Sequence, residues 1–467
     1  MNYHTYFSSS ERSTPVQCCM VGVGGFGESF LSQCGAVPLL SARVVVDLDV
    51  QKAVGVLVAV GIAVGDISVC QTSKQAEDAW MAGKYVVAND IRKVLDLPLD
   101  VVIEATGHPE AGARHARFAI DAGFHVALVT KEVDSVIGPE LAARAKRRGR
   151  VVTPVDGDQP SLLIGLITWA QVLGLEIVAA GKSSEYDFVY DPVHGTLTSN
   201  GHSITCPDFA QWLDLGKRSC EDVATGRAKV ASELPQRAVP DLCELAVVAN
   251  STGFEPDRPD LHAPIARIVE VADFFSPKDD GGLLSGIGRL DVFHCLRLPG
   301  EPSFAGGVFV LVRTKQNATW TMLADKGHVV SRTGRFALIY LPRHLLGAEA
   351  ATSVLEAGLK SVSSGGNDPS PVVDLVARAD RDLPVGTFLN AVGHHHSIQG
   401  VSGCLVRSSH LGPDVPAPYY LLANKRLLRP VDKGSIIRCA DVEFDETSDM
   451  WVLRQDQDRR FFIAEEM

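Results

Sequence analysis

Among its ten cysteines the sequence has no C-x-x-C pair, and it also lacks an H-x-x-x-H, a long apolar run and any excess of positive charge. Each absence removes a class of function. Without paired-cysteine spacing, dithiol redox and zinc-ribbon chemistry lose their usual signature. Thiols set in apolar surroundings, such as Cys18, Cys19, Cys243 and Cys295, read instead as reduced and buried. The most apolar stretch, "AVGVLVAVGIAVG" over residues 53–65, is too short and too broken by glycine to cross a bilayer. The chain carries 44 basic against 56 acidic residues, a net charge of −12. That balance argues against nucleic acid or an anionic membrane surface as a partner, since either rewards a basic face. The opening "MNYHTYFSSSERSTP" is polar and has no apolar core of signal-peptide type, so a cytoplasmic location is expected. "GHHHS" (His394–His396) has no metal-ligand spacing, because adjacent side chains on extended backbone face opposite ways. No metal site is expected.

What is present begins with size: 467 residues, 46% of them hydrophobic, can bury a large core and divide into two or three domains. The order "PVQCCMV", "GVGGFG", "ESFLSQC" then reads as strand, glycine turn and helix. Gly22 permits the tight turn, Gly24 lets backbone approach a pyrophosphate, and Gly27 allows the helix to close on the sheet. Gly25 and Phe26 share that turn, and the amides of the helix start would hold the phosphates. A second strand, "SARVVVDLD", ends in Asp47, 20 residues past Gly27, where an acidic side chain bonds ribose hydroxyls and repels a 2′-phosphate. The cofactor expected is therefore NAD or NADP, with NAD favoured. Lys52 lies close enough to face a phosphate instead. "LDVVIEATGHPEAGARHARFAIDAGFHVALVTKE" reads as a right-handed strand–helix–strand crossover, placing Thr106, Gly107 and His108 at the carboxyl end of a strand, where open α/β sheets bind ligands. Pro109 at the first helical position would explain the same turn without a ligand.

Taken together, "GVGGFG", "DVVIEATGHPEAG", "VTKE" and "VDGDQPS" resemble homoserine dehydrogenase-like oxidoreductases that carry a C-terminal SAF domain, over nearly the whole chain after residue 16. The segments "VVDLVARADRDLPVGTFLNAVG" and "YYLLANKRLLRPVDKGSIIRCADVEFD" carry the SAF part of the likeness. The resemblance implies an α/β chain: an N-terminal Rossmann domain with a doubly wound parallel sheet (16–155), a middle α+β substrate and oligomerisation domain (156–345), and a linker with a small β-rich SAF-like domain (346–467). Residues 1–15 are expected to be a flexible start. It also implies carbohydrate-type chemistry on a small hydroxylated substrate, a sugar acid or branched hydroxy acid, and a homo-oligomer.

Candidate catalytic groups lie at strand ends. Lys131, in "VTKE", resembles the lysine after the equivalent strand of homoserine dehydrogenases, and an ammonium there can polarise a carbonyl or relay a proton. As a surface group it would instead pair with Glu132 or Asp134. "VDGDQPS" offers Asp156 and Asp158, and the strand "LEIVAAG" delivers Lys182, Ser183 and Glu185. Lys182 is the first choice for acid/base work, with Glu185 as partner or substrate ligand and Asp156 or Asp158 orienting. In "DLCELAVVAN", Asp241 and Glu244 stand three apart on one helical face, a spacing that suits binding of hydroxyls or a cation, and equally a solvated pair. Hydride transfer between the dinucleotide and the substrate is the leading reading. A reductoisomerase using a divalent cation on Asp158, Glu185, Asp241 and Glu244 is one alternative. A non-catalytic dinucleotide sensor, with no use for strand-end lysines, is another.

Overall fold

The computed structural model describes residues 2–8, 14–315, 318–393 and 395–463. His394 of the histidine run and residues 9–13 of the start lie outside them. The chain divides into two compact units, the first made of 1–161, 345–402 and 408–467, the second of 162–344 and 403–407.

In the first unit, the apolar runs that read as strands in the sequence become β1 (Val16–Val21), β2 (Leu40–Val46), β3 (Ile67–Val69), β4 (Tyr85–Ala88), β5 (Val101–Glu104), β6 (His125–Leu128) and β7 (Val152–Thr153). They form one sheet in the order β3-β4-β2-β1-β5-β6-β7, parallel at every pairing. Residues of β1, β5 and β6 are buried almost throughout, as parallel strands covered on both faces must be. A short helix α1 (Tyr3–Ser8) precedes the sheet, and α2 (Gly25–Cys34), α3 (Val50–Ala59), α4 (Ser73–Met81), α5 (Pro109–Asp121) and α6 (Lys131–Lys146) lie between or after the strands. The chain leaves β1 for β2 on one side and takes up β5 on the other, so the crevice of a doubly wound sheet opens above β1 and β5. The expected parallel Rossmann sheet is present. Within the start expected to be flexible, Phe7 of α1 is buried in the same core as Val16, Phe30 and Ile103, because its ring has apolar surface to bury there.

Helix α7 (Gln159–Val172) carries the chain into the second unit, whose sheet is mixed. Its strands are β8 (Glu176–Ser183), β9 (Phe188–Asp191), β10 (Thr196–Ser199), β11 (His202–Thr205), the short β12 (Glu255–Pro256) and β13 (Ile265–Ala266), β14 (Arg289–Arg297), β15 (Val308–Arg313) and β16 (Ala337–Leu341). The order is β11-β10-β9-β14-β8-β15-β16, with β14 parallel to β8 and β9 and the remaining neighbours antiparallel. Helices α8 (Cys220–Val230) and α9 (Val239–Thr252) accompany it, and a core of Phe274, Phe275, Phe293, Phe304 and Phe309 fills the interior.

The C-terminal segment, apart from 403–407, groups with the first unit. It contributes β17 (Val373–Ala379), a small hairpin of β18 (Ala391–Val392) and β19 (Ser397–Ile398), and several isolated antiparallel bridges such as Arg378 with Ile436 and Leu427 with Val442. Polar contacts on both faces of the last helix, Asp449–Asp458, explain why it docks. Gln457 donates to Val136 O at 3.1 Å and accepts from the Glu140 amide at 3.2 Å. Arg454, 1% exposed, donates two bonds to Asp374 at 2.6 and 2.8 Å and one to Asp458 at 2.9 Å. An arginine fork buried against two carboxylates is stable only as a set, since removing one charge strands the others. Arg454→Leu is therefore expected to destabilise the first unit by about 3–5 kcal/mol, read from its urea midpoint, with part of the loss restored by adding Asp374→Leu.

Candidate functional site

The loop after β1 is shaped by three missing side chains. Gly22 has φ +91°, in the left-handed region, and a Cβ there would lie 2.7 Å from Ala105 O. A Cβ on Gly27 would collide with the Gly22 carbonyl, so α2 sits directly on the loop backbone. A Cβ on Gly24, by contrast, meets nothing within 4 Å. Gly24 is the N-cap of α2, with no side-chain hydrogen bond to satisfy the first amides, and Gly25 and Phe26 are the first helical residues, the latter packing partly into the core. The result is a helix start with open space before it and amides unspent, the arrangement that receives a phosphate.

Asp47 stands at the end of β2 beside this loop. Its Oδ2 accepts from the Val23 amide at 2.8 Å and its Oδ1 from the Asp49 amide at 2.9 Å, so the carboxylate ties the glycine loop to the next strand. Asp49 caps α3 through the Gln51 and Lys52 amides, which fixes where Lys52 points off the first turn. A cavity of about 750 Å³ opens here, bordered by Gly22, Gly24, Asp47, Arg92, Thr106 and His108. That volume falls in the range of small-molecule and cofactor sites.

The turn after β5 is built by a residue the sequence reading passed over. Glu104 is fully buried, and its Oε1 accepts from Thr106 Oγ1 at 2.6 Å, while its Oε2 has no partner among the described residues. The Gly107 amide donates to Thr130 Oγ1 at 3.0 Å, fastening the turn to the end of β6. His108 caps α5, with Nδ1 accepting from the Ala111 amide at 3.5 Å. Pro109 does take the first helical position, and the turn borders the cavity as well.

Lys131 opens α6, and its Nζ lies 3.9 Å from Asp158 Oδ1, both side chains largely buried. The structure thus brings together two residues predicted separately. Glu132 itself is buried, and burial pushes its carboxyl up to about 7, against the pull of Lys131 and of His395 from the C-terminal hairpin. The two oxygens of Asp156 accept from Ser161 Oγ and Thr352 Oγ1, each at 2.6 Å, which braces the loop.

In the second unit, Lys182 is 1% exposed, near the end of β8. Its Nζ lies 2.8 Å from Asp241 Oδ1 and also contacts Glu244 Oε2. Asp241 and Glu244 are buried on α9, and Ser184 Oγ donates to Asp241 Oδ2 at 2.7 Å. The helical pair is thus buried, and it holds an ammonium. Among the described residues no group of three or more His, Cys, Asp or Glu is placed to hold a metal ion. The buried hydroxyl of Ser183 has no partner among the described residues, and Glu185 is half-buried beyond the strand end. The sequence reading missed His294. The pairing of Val292 with Lys182 puts it on the lysine's face of the sheet, two residues on. It is buried, its pKa falls through desolvation despite Asp241 nearby, and its Nε2 meets Gln236 O at 2.9 Å, which fixes a neutral tautomer. A buried ammonium between two carboxylates, beside a neutral imidazole, is a set of groups able to hold and hand on a proton.

No helix among the described residues is long and apolar enough to cross a membrane. Residues 240–350, which include Asp241, Glu244 and His294, match the family model for the catalytic domain of oxidoreductase DRL. No curated protein matches the chain. Among solved structures, the gentamicin A biosynthesis enzyme GenD2 in complex with NAD is 15% identical over 75% of this chain and 88% of its own, with a TM-score of 0.34. The 1-deoxy-D-xylulose 5-phosphate reductoisomerase of Zymomonas mobilis, in complex with NADPH, is 17% identical over 37% of this chain and 47% of its own, with a TM-score of 0.28. The WlbA dehydrogenase of Bordetella pertussis, in complex with NADH and UDP-GlcNAcA, is 12% identical over 37% and 48%, with a TM-score of 0.27. The chain spans about half the length of the reductoisomerase structures it matches. The homoserine dehydrogenase and SAF likenesses remain resemblances of motif. Residues 240–350 are thus similar to the catalytic domain of an oxidoreductase, and the solved structures share parts of the fold.

Proposed function

We propose that the protein is an NAD(P)-dependent oxidoreductase acting on a small hydroxylated substrate of sugar-acid or branched hydroxy-acid type, with Lys182 as its acid/base group. The observation that carries the reading is Gly24, where open space meets an uncapped helix start at the switch point of a parallel sheet. When bound, a nicotinamide dinucleotide supplies the hydride donor or acceptor. The amides at the start of α2 would bind its pyrophosphate, and Asp47 its ribose hydroxyls. Asp47 disfavours a 2′-phosphate, and the charge of Arg92 on the same cavity wall is already held by Asp90, which favours NAD. Lys182 Nζ gives a proton to the substrate oxygen as a carbonyl becomes an alcohol, or takes it in reverse, while Asp241 and Glu244 keep the amine aimed. Lys131, held by Asp158 at the end of β6, supplies positive charge near the dinucleotide-binding face.

Gly24→Val is expected to leave the unliganded melting temperature nearly unchanged, since the new side chain enters open space at an extended φ of −69°. The same variant should lose the stabilisation that NAD⁺, NADH, NADP⁺ or NADPH gives the wild type in a thermal-shift titration. If none of the four raises the wild-type melting temperature, the dinucleotide reading falls. Lys182→Met, paired with Asp241→Asn to relieve the stranded charge, should keep that shift and lower kcat about 10²–10⁴-fold on whichever hydroxy acid the wild type turns over. Turnover that survives in the double variant would remove Lys182 from the mechanism.

A further inference from the structure

The last helix and α5 hold one another by exchanged charges. The Glu110 carboxylate accepts from the Asp449 and Met450 amides at 2.7 and 3.2 Å, capping the last helix. In return the Asp449 carboxylate accepts from Arg114 Nε at 2.8 Å and Arg117 Nε at 2.6 Å. Over these two helix starts lies a cavity of about 270 Å³, several times the ~30 Å³ share of a single water. It is distinct from the glycine-lined cavity, with which it shares His108 and Arg114.

The lining offers donors and a flat apolar wall. Phe444 and Trp451 stack with ring centroids 4.6 Å apart and planes 19° from parallel. Trp451 Nε1 is buried without a partner among the described residues, a state that costs about 1–3 kcal/mol unless something accepts from it. With Nδ1 of His108 accepting from the Ala111 amide, Nε2 is the ring's donor. Lys425 adds an ammonium. The two carboxylates in the lining are already engaged: Glu110 caps the helix, and Asp445 accepts from Thr447 N and Oγ1 at 2.9 and 2.6 Å. The edge is closed by His396 at the tip of the β18–β19 hairpin. This non-glycine residue is held at φ +49°, with its ring 5.2 Å from His108 and nearly perpendicular to it. Such backbone strain concentrates where a ligand is gripped.

We propose that this cavity is a second ligand site, for a small aromatic carboxylic acid. The acid's ring packs on the aromatic wall, and its polar groups take the Lys425 ammonium and the Trp451 Nε1–H. Through His108 and Arg114 its occupancy changes dinucleotide affinity, and dinucleotide changes its affinity by the same factor. The coupling rests on the dinucleotide reading above, whereas the binding does not.

Salicylate is the probe, titrated into the full-length protein by calorimetry and thermal shift, alone and with saturating dinucleotide. The expected result is saturable binding to the wild type and to Gly24→Val, weakened at least tenfold in both Lys425→Met and Trp451→Phe. Those two variants should keep a normal dinucleotide-induced shift, which shows that they fold. No saturable response up to about 10 mM, or equal affinity in both variants, overturns the proposal. So does loss of salicylate binding in Gly24→Val or full competition by dinucleotide, because the acid would then lie in the glycine cradle. Salicylate binding as expected in a protein that no dinucleotide stabilises would sustain the second site and sink the proposed cofactor alone.

Discussion

Everything in the first unit is positioned by one backbone-to-backbone approach, that of α2 onto the loop it follows. With no Cβ on Gly27, the helix rests on the Gly22 carbonyl, and with φ +91° at Gly22 the loop turns tightly enough to pass Ala105. Any side chain at either position pushes the helix axis away from the sheet. The amides of the helix start would then no longer face the space before Gly24, and Asp47 would lose the Val23 amide that aligns it. Close packing of this kind is unforgiving because protein interiors have few voids into which a displaced atom can relax.

The second unit depends on charge instead of close approach. Lys182, Asp241 and Glu244 are all buried, and the three formal charges do not cancel. Taking them out of water is costly, and they coexist because each carboxylate has a donor: the ammonium for both, and the Ser184 hydroxyl for Asp241 as well. Such a cluster is structurally expensive, because each buried charge must keep its donors.

The parts of this arrangement that were legible in the sequence are those encoded within a few residues. The glycine turn, Asp47 at its spacing, the Thr106–His108 turn and the α9 pair Asp241/Glu244 all sit where local periodicity puts them. What could not be read were partnerships across the chain. Lys182 and its carboxylates are separated by 59 and 62 residues, and no local pattern announces that a strand-end lysine will meet that helix. Asp156 has the residue type and the turn of a ligand-binding group, yet the hydroxyl of Thr352, 196 residues away, takes one of its oxygens. The histidine run was judged by the rule that adjacent side chains diverge. They do diverge, His396 toward His108 and His395 toward Glu132, but each meets a different strand-end loop of the same sheet. Glu104 was overlooked because a buried glutamate at the end of an apolar strand has no sequence signature apart from its burial.

The docking of the last helix has a consequence for how the protein comes into being. The contacts that complete the first unit join residues more than 300 positions apart: Arg117 with Asp449, Val136 and Glu140 with Gln457. A ribosome delivers α5 and α6 early and the helix that docks on them last, with the whole of the second unit synthesised in between. The inserted unit can close on itself while the first is still waiting, and loop closure over so long an interval is slow. During that wait the faces of α5 and α6 that the last helix will cover stand open, so newly made chains are most exposed to aggregation and to chaperones in the interval before residue 458 emerges.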